Sequence, residues 1–345
     1  MTRILSRLNR SQRLIVFFVV FGGTGVLLLA FALNLILSSF AAPRNQAVAL
    51  VDGVSVTEFV TLPDDDAYPA SLAVAPDGTV YTASYATGAV WAISPDAVVA
   101  ELPRSRDLFG SVAGLTTGPD GSLYVVDRLD PRSQPGQALI WRVTTAHQIE
   151  EFARIDDAQG FLSPDDIALD SSGWVYVSDR ARGEIWRFQP DGSGGLAWWQ
   201  APPAEAANQP EPTGLAYDAT RDAIIVSDSI TNAIYRIPVT TGALAGSAEI
   251  LYQPDSSDIL PGLDGLTVTA DGTIYVAALA LNQVARLEAG TLIAIAAEFR
   301  GASDVAAAGT DRLYVTNWDQ FSLAFRFVPS RLPFALDLIT LPAKN

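Results

Sequence analysis

The residues of this chain that could do chemistry are carboxylates. The sequence holds 38 Asp and Glu residues, a single histidine, His147, and no cysteine. Cysteine nucleophiles, thiolate metal ligands and disulfides are therefore excluded. Three aspartates stand out, because Asp165, Asp264 and Asp304 occupy the starts of short apolar segments. Divalent cations such as Ca²⁺ take oxygen ligands, so these residues predict a cation site if the fold brings them together.

His147 has the wrong position for most other chemistries. It follows an apolar segment at a place that the repeat described below assigns to the outer part of the fold. A Ser-His-Asp triad or a histidine-based lyase site would need it at the centre. No glycine-rich phosphate loop leads from a strand into a helix. These classes of enzyme are therefore excluded.

The segments that carry the aspartates belong to an internal repeat. Each unit has a short apolar strand, a tight turn rich in Asp and Gly, and a second strand, as in Ala70–Tyr81. An aromatic residue followed by arginine marks a third strand in four units (Trp141-Arg142, Trp186-Arg187, Tyr235-Arg236, Phe325-Arg326), and an amphipathic fourth strand closes most of them. Four strands in about 40–50 residues is the size of a propeller blade.

Six units begin at residues 70, 113, 165, 213, 264 and 303. The sequence therefore predicts an all-β fold, a six-bladed β-propeller with four-stranded antiparallel blades. Residues 54–60 resemble a fourth strand that no other strands precede, so we expect them to complete blade six from the opposite chain end. Residues 334–341 could take the same place, and the sequence leaves that choice open.

Strand alternation sorts the loops onto two faces. The fourth-to-first and second-to-third connections share one face, and they hold the long insertions. That loop face is acidic and includes Asp64, Asp65, Asp66, Asp156, Asp157, Asp165, Asp166, Asp255, Asp258, Asp264 and Asp304. The first residue of each innermost strand is expected to line the mouth of the central channel, in the column Ala70, Ala113, Asp165, Thr213, Asp264 and Ser303.

The repeats resemble a known family. Residues 167–187, which read Ile-Ala-Leu-Asp-Ser-Ser-Gly-Trp-Val-Tyr-Val-Ser-Asp and end in Glu-Ile-Trp-Arg, look like NHL-type repeats. With the six blades, the segment Leu263-Asp264-Gly265-Leu266 is similar to the gluconolactonase / senescence-marker-protein superfamily. That superfamily includes strictosidine-synthase-like propellers, some of them anchored in membranes. The resemblance covers roughly residues 54–330 and implies the fold more specifically than the function.

The resemblance also implies a metal site. In lactonases of the superfamily a Glu opening blade one, an Asn in blade four and an Asp in blade five hold a divalent ion. Here Ala70, Thr213 and Asp264 stand at those positions, so only Asp264 matches. Asp165 falls where those enzymes carry another polar residue near the substrate. Asp165, Asp264 and Asp304, with backbone carbonyls, remain the candidate ligands of an altered Ca²⁺ site, and Asp264 is also the candidate catalytic residue.

Each of these aspartates also has a structural interpretation. Asp264 precedes a glycine at a strand start, and Asp-Gly is a common turn sequence. Asp165 follows Ser163-Pro164 and could likewise be a loop residue without a function in binding. Asp127, Asp179 and Asp228 recur in register at the ends of second strands. That regularity predicts a repeated structural role rather than a site.

The N-terminus predicts a membrane anchor. Residues 14–37 lack any charge, and four arginines precede them (Arg3, Arg7, Arg10 and Arg13), whereas the first acidic residue is Asp52. A helix of this length crosses a bilayer, and the arginines orient its N-terminus toward the cytoplasm. A cleaved signal peptide ending at Ser39-Phe40-Ala41 is the alternative, but its apolar region should be shorter.

These features give the expected domains and function. Residues 1–13 form a cytoplasmic basic tail, 14–40 the anchor, 41–53 a linker and 54–345 an extracytoplasmic propeller. The part after the helix carries all 38 acidic residues and all but four of the 22 basic ones, a formal charge of −20, which excludes nucleic-acid binding. We expect a module that binds a small ligand or a protein partner through its acidic loop face. The alternative is a calcium-dependent lactonase or esterase.

Overall fold

The computed structural model describes residues 22–40, 46–129, 138–203, 209–255, 261–325 and 328–342, without the side chains of 34–40. Within these ranges the chain forms six antiparallel sheets arranged as the blades of a propeller. Before the first blade lie helix α1 (Gly23–Phe40) and strands β1 (Val48–Ala49) and β2 (Ser55–Thr61).

The first three blades follow the chain in order. Blade one holds β3 (Pro69–Val74), β4 (Val80–Ser84), β5 (Val90–Ile93) and β6 (Val99–Glu101), and the short helix α2 (Ser105–Leu108) follows it. Blade two holds β7 (Val112–Thr117), β8 (Leu123–Asp127), β9 (Leu139–Val143) and β10 (Ile149–Ala153). Blade three holds β11 (Pro164–Leu169), β12 (Val175–Asp179), β13 (Glu184–Phe188) and β14 (Leu196–Gln200).

The last three blades carry the irregularities. Blade four holds β15 (Pro212–Asp218), β16 (Ala223–Asp228) and β17 (Ile234–Thr240), with β18 (Leu244–Ala245) and β19 (Glu249–Tyr252) both pairing with β17. Blade five holds β20 (Leu263–Val268), β21 (Ile274–Ala278), β22 (Gln283–Glu288) and β23 (Thr291–Ala297), with a 3₁₀ turn at Leu279–Leu281. Blade six holds β24 (Val305–Ala308), β25 (Arg312–Val315), helix α3 (Gln320–Ala324) and β26 (Ala335–Thr340).

The core lies between the blades. Second strands such as β8, β12 and β21 are buried at every residue, because each has a strand on either side and a neighbouring blade on either face. Between blades two and three, for example, Ile140, Phe161 and Phe188 are completely buried in one apolar cluster. The blades therefore stabilise each other by packing face to face, and they position the loops at the channel mouth.

The ring closes through both chain ends, as the repeat predicts. β2 pairs with β26 along its whole length, from Ser55 opposite Thr340 to Thr61 opposite Ala335, and β26 pairs with β25. β2 is thus the outermost strand of blade six. The competing segment at residues 334–341 is the third strand of the same blade, so the two candidates occupy adjacent places.

The predicted third strand of blade six is wrong. Phe325 lies beyond α3 with an exposed side chain, and Arg326 falls outside the described residues. The segment around β26 takes the place because Leu336 and Ile339 are completely buried, and because Asp337 accepts a hydrogen bond from the Asn317 side chain at 2.8 Å. Of the described residues between β25 and β26, 318–325 and 328–332 consequently belong to the loop face.

The N-terminal segment meets the propeller at blade five. Val48 and Ala49 pair with Ala297 and Ala296 at the end of β23. The predicted membrane span begins at residue 14, and its first part, up to residue 21, lies outside the described residues. In the part of the chain that the structure describes, no helix has the length and apolar character needed to cross a membrane.

Candidate functional site

Two adjoining cavities open at the loop face. The outer cavity has a volume of about 540 Å³ and lies over blades four to six, and an inner one of about 110 Å³ leads into the central channel. Arg180, Asp264, Trp318 and Gln320 line both. All six residues of the predicted first column line one or both cavities, so that expectation is confirmed.

The residues that follow this column tie neighbouring blades together. The Ser71 hydroxyl accepts a hydrogen bond from the Leu115 amide of the next blade at 2.9 Å. In the same way the Asp166 carboxylate accepts from the Leu215 amide at 2.8 Å, and the Asp304 carboxylate accepts from the Leu72 amide at 2.7 Å. Asp304 also accepts from the Ser71 hydroxyl at 3.1 Å. Asp304 is therefore a link between blades six and one rather than a group directed at a ligand.

Glycine occupies the other three positions of this second column, Gly114, Gly214 and Gly265, because the blades approach too closely there for a side chain. A Cβ placed on Gly214 would lie 2.5 Å from the carbonyl oxygen of Asp264, and one on Gly265 would lie 2.1 Å from the Asp304 carboxylate. Real Cβ contacts are longer, so only glycine fits there. This close approach fixes the backbone that carries Asp264.

A third column, which was not among the residues predicted from the sequence, also lines the cavities. In blades one to five the residue directly after the second strand lines a cavity, and in blade six Trp318, three residues after β25, does so. The set is Tyr85, Arg128, Arg180, Ser229, Leu279 and Trp318. The repeat contained the signal, since Arg128 and Arg180 each follow the conspicuous strand-end aspartate of their blade. Attention to the residue after that aspartate would have found them.

Asp165 is neutralised by two arginines from this third column. Arg128 forms an ion pair with its carboxylate and also donates hydrogen bonds to the Pro164 carbonyl and, at 2.8 Å, to the Tyr85 hydroxyl. Arg180 lies 3.8 Å from the Asp165 carboxylate and binds Glu211 at 2.7 Å. The negative charge of Asp165 raises the pKa of Arg180, so this guanidinium stays charged. The guanidinium groups of Arg128 and Arg180 are thus held by groups of the protein itself.

Asp264 differs from these paired groups. It is partly exposed to both cavities, and no residue within the described ranges donates a hydrogen bond to its carboxylate. Burial and the charge of Asp165 raise the pKa of Asp264, while Arg180 opposes the shift. A desolvated carboxylate without a donor is either protonated or bound to a ligand that supplies one. In contrast to Asp165, the carboxylate of Asp264 is therefore available to bind a ligand at the mouth of the channel.

Burial also raises the pKa of the two carboxylates that link neighbouring blades, Asp166 and Asp304. It raises the pKa of Asp304 to about 7, against the opposing hydrogen bonds from Leu72, Val305 and Ser71. Burial and the charge of Asp304 raise the pKa of Asp166 in the same direction. In the unfolded chain an aspartate titrates near 4, so the folded state binds more protons between about pH 4 and 7.

This difference predicts a pH-dependent stability. Because the folded state holds the extra protons, the free energy of unfolding is expected to fall as pH rises from about 4 to 7. Asp304→Asn removes one titrating group and should make the decrease shallower, which urea denaturation at several pH values would measure. Asp96→Asn, in an exposed turn of blade one, is the control and should keep the parental slope. An unchanged slope in the Asp304 variant would contradict the assignment.

The described residues do not form the metal shell that the resemblance implies. Ala70 offers no ligand atom, and the Thr213 hydroxyl contacts the carbonyls of Ser227 and Leu263 at 3.2 and 3.4 Å. Asp165 is engaged by the arginines described above. Among the described residues, no three His, Asp or Glu side chains are grouped so that they could hold a metal ion. The cation site at Asp165, Asp264 and Asp304 stays a prediction that calcium titration would test.

The structural role of the strand-end aspartates is confirmed. Asp127 is completely buried and accepts hydrogen bonds from three backbone amides and from the indole of Trp141. Asp179 and Asp228 likewise accept hydrogen bonds from backbone amides of nearby loops. These carboxylates hold the loops that carry the third column. His147 lies exposed in a turn of blade two, away from the cavities.

Part of the chain matches the model of a known protein family. Residues 204–318, one third of the chain, match the SMP-30/Gluconolactonase/LRE-like region. The matched segment spans blades four and five and the inner strands of blade six, and it contains Asp264. No curated protein matches the chain.

Solved structures of low sequence identity share the fold. A gluconolactonase from Xanthomonas campestris superposes with a TM-score of 0.63 at 16% identity, over 87% of this chain and 98% of its own. A luciferin-regenerating enzyme gives 0.60 at 14%, over 84% and 95%. Virginiamycin B lyase from Staphylococcus aureus gives 0.54 at 18%, over 77% and 83%. Proteins of different activity therefore superpose on this fold, and the similarity identifies the fold alone.

Proposed function

We propose that the protein binds a small organic ligand in the outer cavity, with Asp264 as its polar anchor. The observation that carries this proposal is the contrast among the charged groups of the mouth. Arg128, Arg180 and Asp165 satisfy one another, whereas Asp264 receives no hydrogen bond from a described residue. A ligand hydroxyl or ammonium group would supply the missing donor.

The remainder of the outer cavity suits the body of such a ligand. Its volume of about 540 Å³ lies in the range typical of small-molecule sites. Apolar side chains form much of the wall, among them Leu279, Trp318, Phe321 and Val328. Polar side chains line the cavity as well, among them Arg180, Arg300 and Arg331. In such a site the apolar part of the wall supplies affinity and the polar groups supply orientation.

A matched pair of variants tests the proposal. Amines, polyols, lactones and hydroxy acids are screened by the rise in melting temperature that binding causes. Asp264→Asn should weaken the best ligand about tenfold or more, since a hydrogen bond to a charged group contributes about 1.5–3 kcal/mol. Asp271→Asn lies in the turn at the opposite end of the same blade and should bind normally. Equal affinity in both variants would remove Asp264 from the site.

A lactonase-type hydrolase is the second candidate, favoured by the family match that includes Asp264. Asp264 would take a proton from water as the water oxygen attacks the ester carbonyl. The carbon–oxygen bond of the lactone ring would then break, and the same proton would pass to the leaving oxygen, so the hydroxy acid forms without a net change at the enzyme. The raised pKa of Asp264 suits the first step, because its carboxylate is then a stronger base than that of an ordinary aspartate.

Chelation separates the two forms of this second candidate. Lactone and aryl-ester hydrolysis should be measured with and without a chelator. If Asp264 acts as the base without a metal ion, turnover should be unchanged by the chelator and should be lost in the Asp264→Asn variant. Turnover that chelation abolishes would instead support the calcium-dependent form predicted from the sequence.

We further propose that residues 14–40 anchor the protein in a membrane with the propeller outside the cytoplasm. The uncharged run and the four preceding arginines support this placement. In α1, the described large side chains Val26, Leu27, Leu28, Leu29, Phe31 and Leu33 are all at least half exposed. Such a surface is stable in lipid and unfavourable in water.

A further inference from the structure

The chain enters the propeller on the same face as the cavities. β23 ends at Ala297, on the loop face, and only two residues separate it from Arg300, which lines the outer cavity. β1 runs antiparallel to β23 with Val48 opposite Ala297, so β1 begins at that face. Its preceding residue, Ala47, is buried in the cluster that contains Phe299. The N-terminal segment therefore reaches the propeller from the cavity side.

The length of chain between α1 and β1 limits how far apart they can lie. Seven residues lie between Phe40 and Val48, and the eight fully extended Cα–Cα steps from one to the other span at most about 28 Å. If α1 lies in a bilayer, the start of β1 stays within that distance of α1. The cavity face, rather than the opposite face, is then the one nearer to the membrane.

That face carries an exposed apolar crescent. Its members lie in the loops between the second and third strands of blades four, five and six, and each is between 36 and 45% exposed. They are Ile230, Leu281, Phe321, Phe325 and Leu332. Phe321 and Phe325 stack with ring centroids 4.7 Å apart at the ends of α3. Blade five, where β1 attaches, is in the middle of the three blades. Clustered exposed apolar side chains beside the attachment point indicate a surface that is covered in use.

We propose that the apolar crescent rests on the surface of a zwitterionic lipid bilayer, so that the outer cavity opens toward the membrane and takes its ligand from it. The proposal rests on the membrane anchoring proposed above, and it adds the orientation of the propeller and the source of the ligand. Aromatic and aliphatic side chains such as these enter the boundary between headgroups and acyl chains. The formal charge of −20 after the helix repels anionic lipids, so zwitterionic headgroups, which have no net charge, are favoured.

The absence of cysteine makes a direct test possible, because single cysteines can be labelled without a background. Full-length protein is reconstituted in phosphatidylcholine vesicles with bimane attached at Ala324→Cys, an exposed position in α3. The matched control is Ala219→Cys, exposed in a turn of blade four on the opposite face. Quenching by nitroxide-labelled lipid and by aqueous iodide is measured at each position.

We expect the nitroxide lipid to quench the label at 324 several-fold more than the label at 219, and iodide to show the reverse order. Replacing a third of the lipid by phosphatidylserine should reduce the quenching at 324. The double variant Phe325→Ser/Leu332→Ser lowers the exposed apolar area without changing residues that line the outer cavity. It should reduce the lipid quenching of the label at 324 to that of the label at 219.

Each other outcome overturns the proposal. Equal lipid quenching at both positions would mean that the propeller has no preferred orientation. A label at 324 shielded from iodide but not quenched by lipid would mean that a protein partner or a second copy covers the crescent. Flotation of the same vesicles tests the anchor separately, and the ligand screen with Asp264→Asn tests the binding site separately, so a failure can be traced to the orientation alone.

Discussion

A chain that begins at Leu62, and so lacks β2, is expected to lose its cooperative fold. β2 pairs with β26 along seven residues, Val60 is buried against blade one, and Phe59 packs on Tyr314 with ring centroids 4.7 Å apart. Burying each such apolar side chain contributes about 1.5–3 kcal/mol. A domain has only about 5–15 kcal/mol of stability in total, so losing the strand removes most of it.

The measurement is urea denaturation followed by tryptophan fluorescence. The control chain begins at Val54, which removes α1 and β1 but keeps β2, and it should unfold in a single transition close to that of the parent. The shorter chain should show no such transition and should aggregate, because β26 becomes an exposed edge. Parental melting of the shorter chain would mean that β2 is dispensable for closure.

Asp127→Ala is expected to cause the largest loss of stability of any single substitution at the loop face. It would leave the amides of Gly110, Ser111 and Leu129 and the Trp141 indole without their acceptor. Each buried donor left unsatisfied costs about 1–3 kcal/mol, so the free energy of unfolding should fall by about 4 kcal/mol or more.

Two further variants calibrate this effect. Asp127→Asn keeps one acceptor and should lose less stability than the alanine variant. Asp120→Ala, in a turn of the same blade with half its side chain exposed, should stay within about 1 kcal/mol of the parent. If Asp120→Ala destabilised the protein as much as Asp127→Ala, the buried hydrogen bonds would not be the cause.

The candidate site shows where sequence reasoning succeeded and where it could not. The column of Asp165, Thr213 and Asp264 was predictable, because a repeat places equivalent residues at equivalent points of the ring. The partners of these residues were not. Arg128 reaches Asp165 from the neighbouring blade, 37 residues away along the chain, and the pairing depends on the rotation between blades. That pairing is why Asp165 and Asp264, which look alike in the sequence, differ in their availability to a ligand.

Blade six shows the same limit at the level of the fold. An aromatic residue followed by arginine marked the third strand of three other blades, but Phe325 lies outside the sheet. Described residues of this segment, among them Trp318, Phe321 and Val328, instead line the outer cavity. Three members of the apolar crescent, Phe321, Phe325 and Leu332, also belong to it. A local pattern cannot distinguish a strand from an insertion when both are apolar, and the pairing of β26 with β25 decided between them.

The sequence by itself determined the six blades, the two segments that could complete blade six, the face that carries the long loops and the structural use of the strand-end aspartates. All of these follow from periodicity, which depends on local alternation and turn chemistry. Only the tertiary structure decided which carboxylates are neutralised, which are tied to a neighbouring blade, and on which face the chain enters the propeller. Those properties depend on contacts between blades, because burial and charge pairing are set by residues that are distant in sequence and adjacent in the ring.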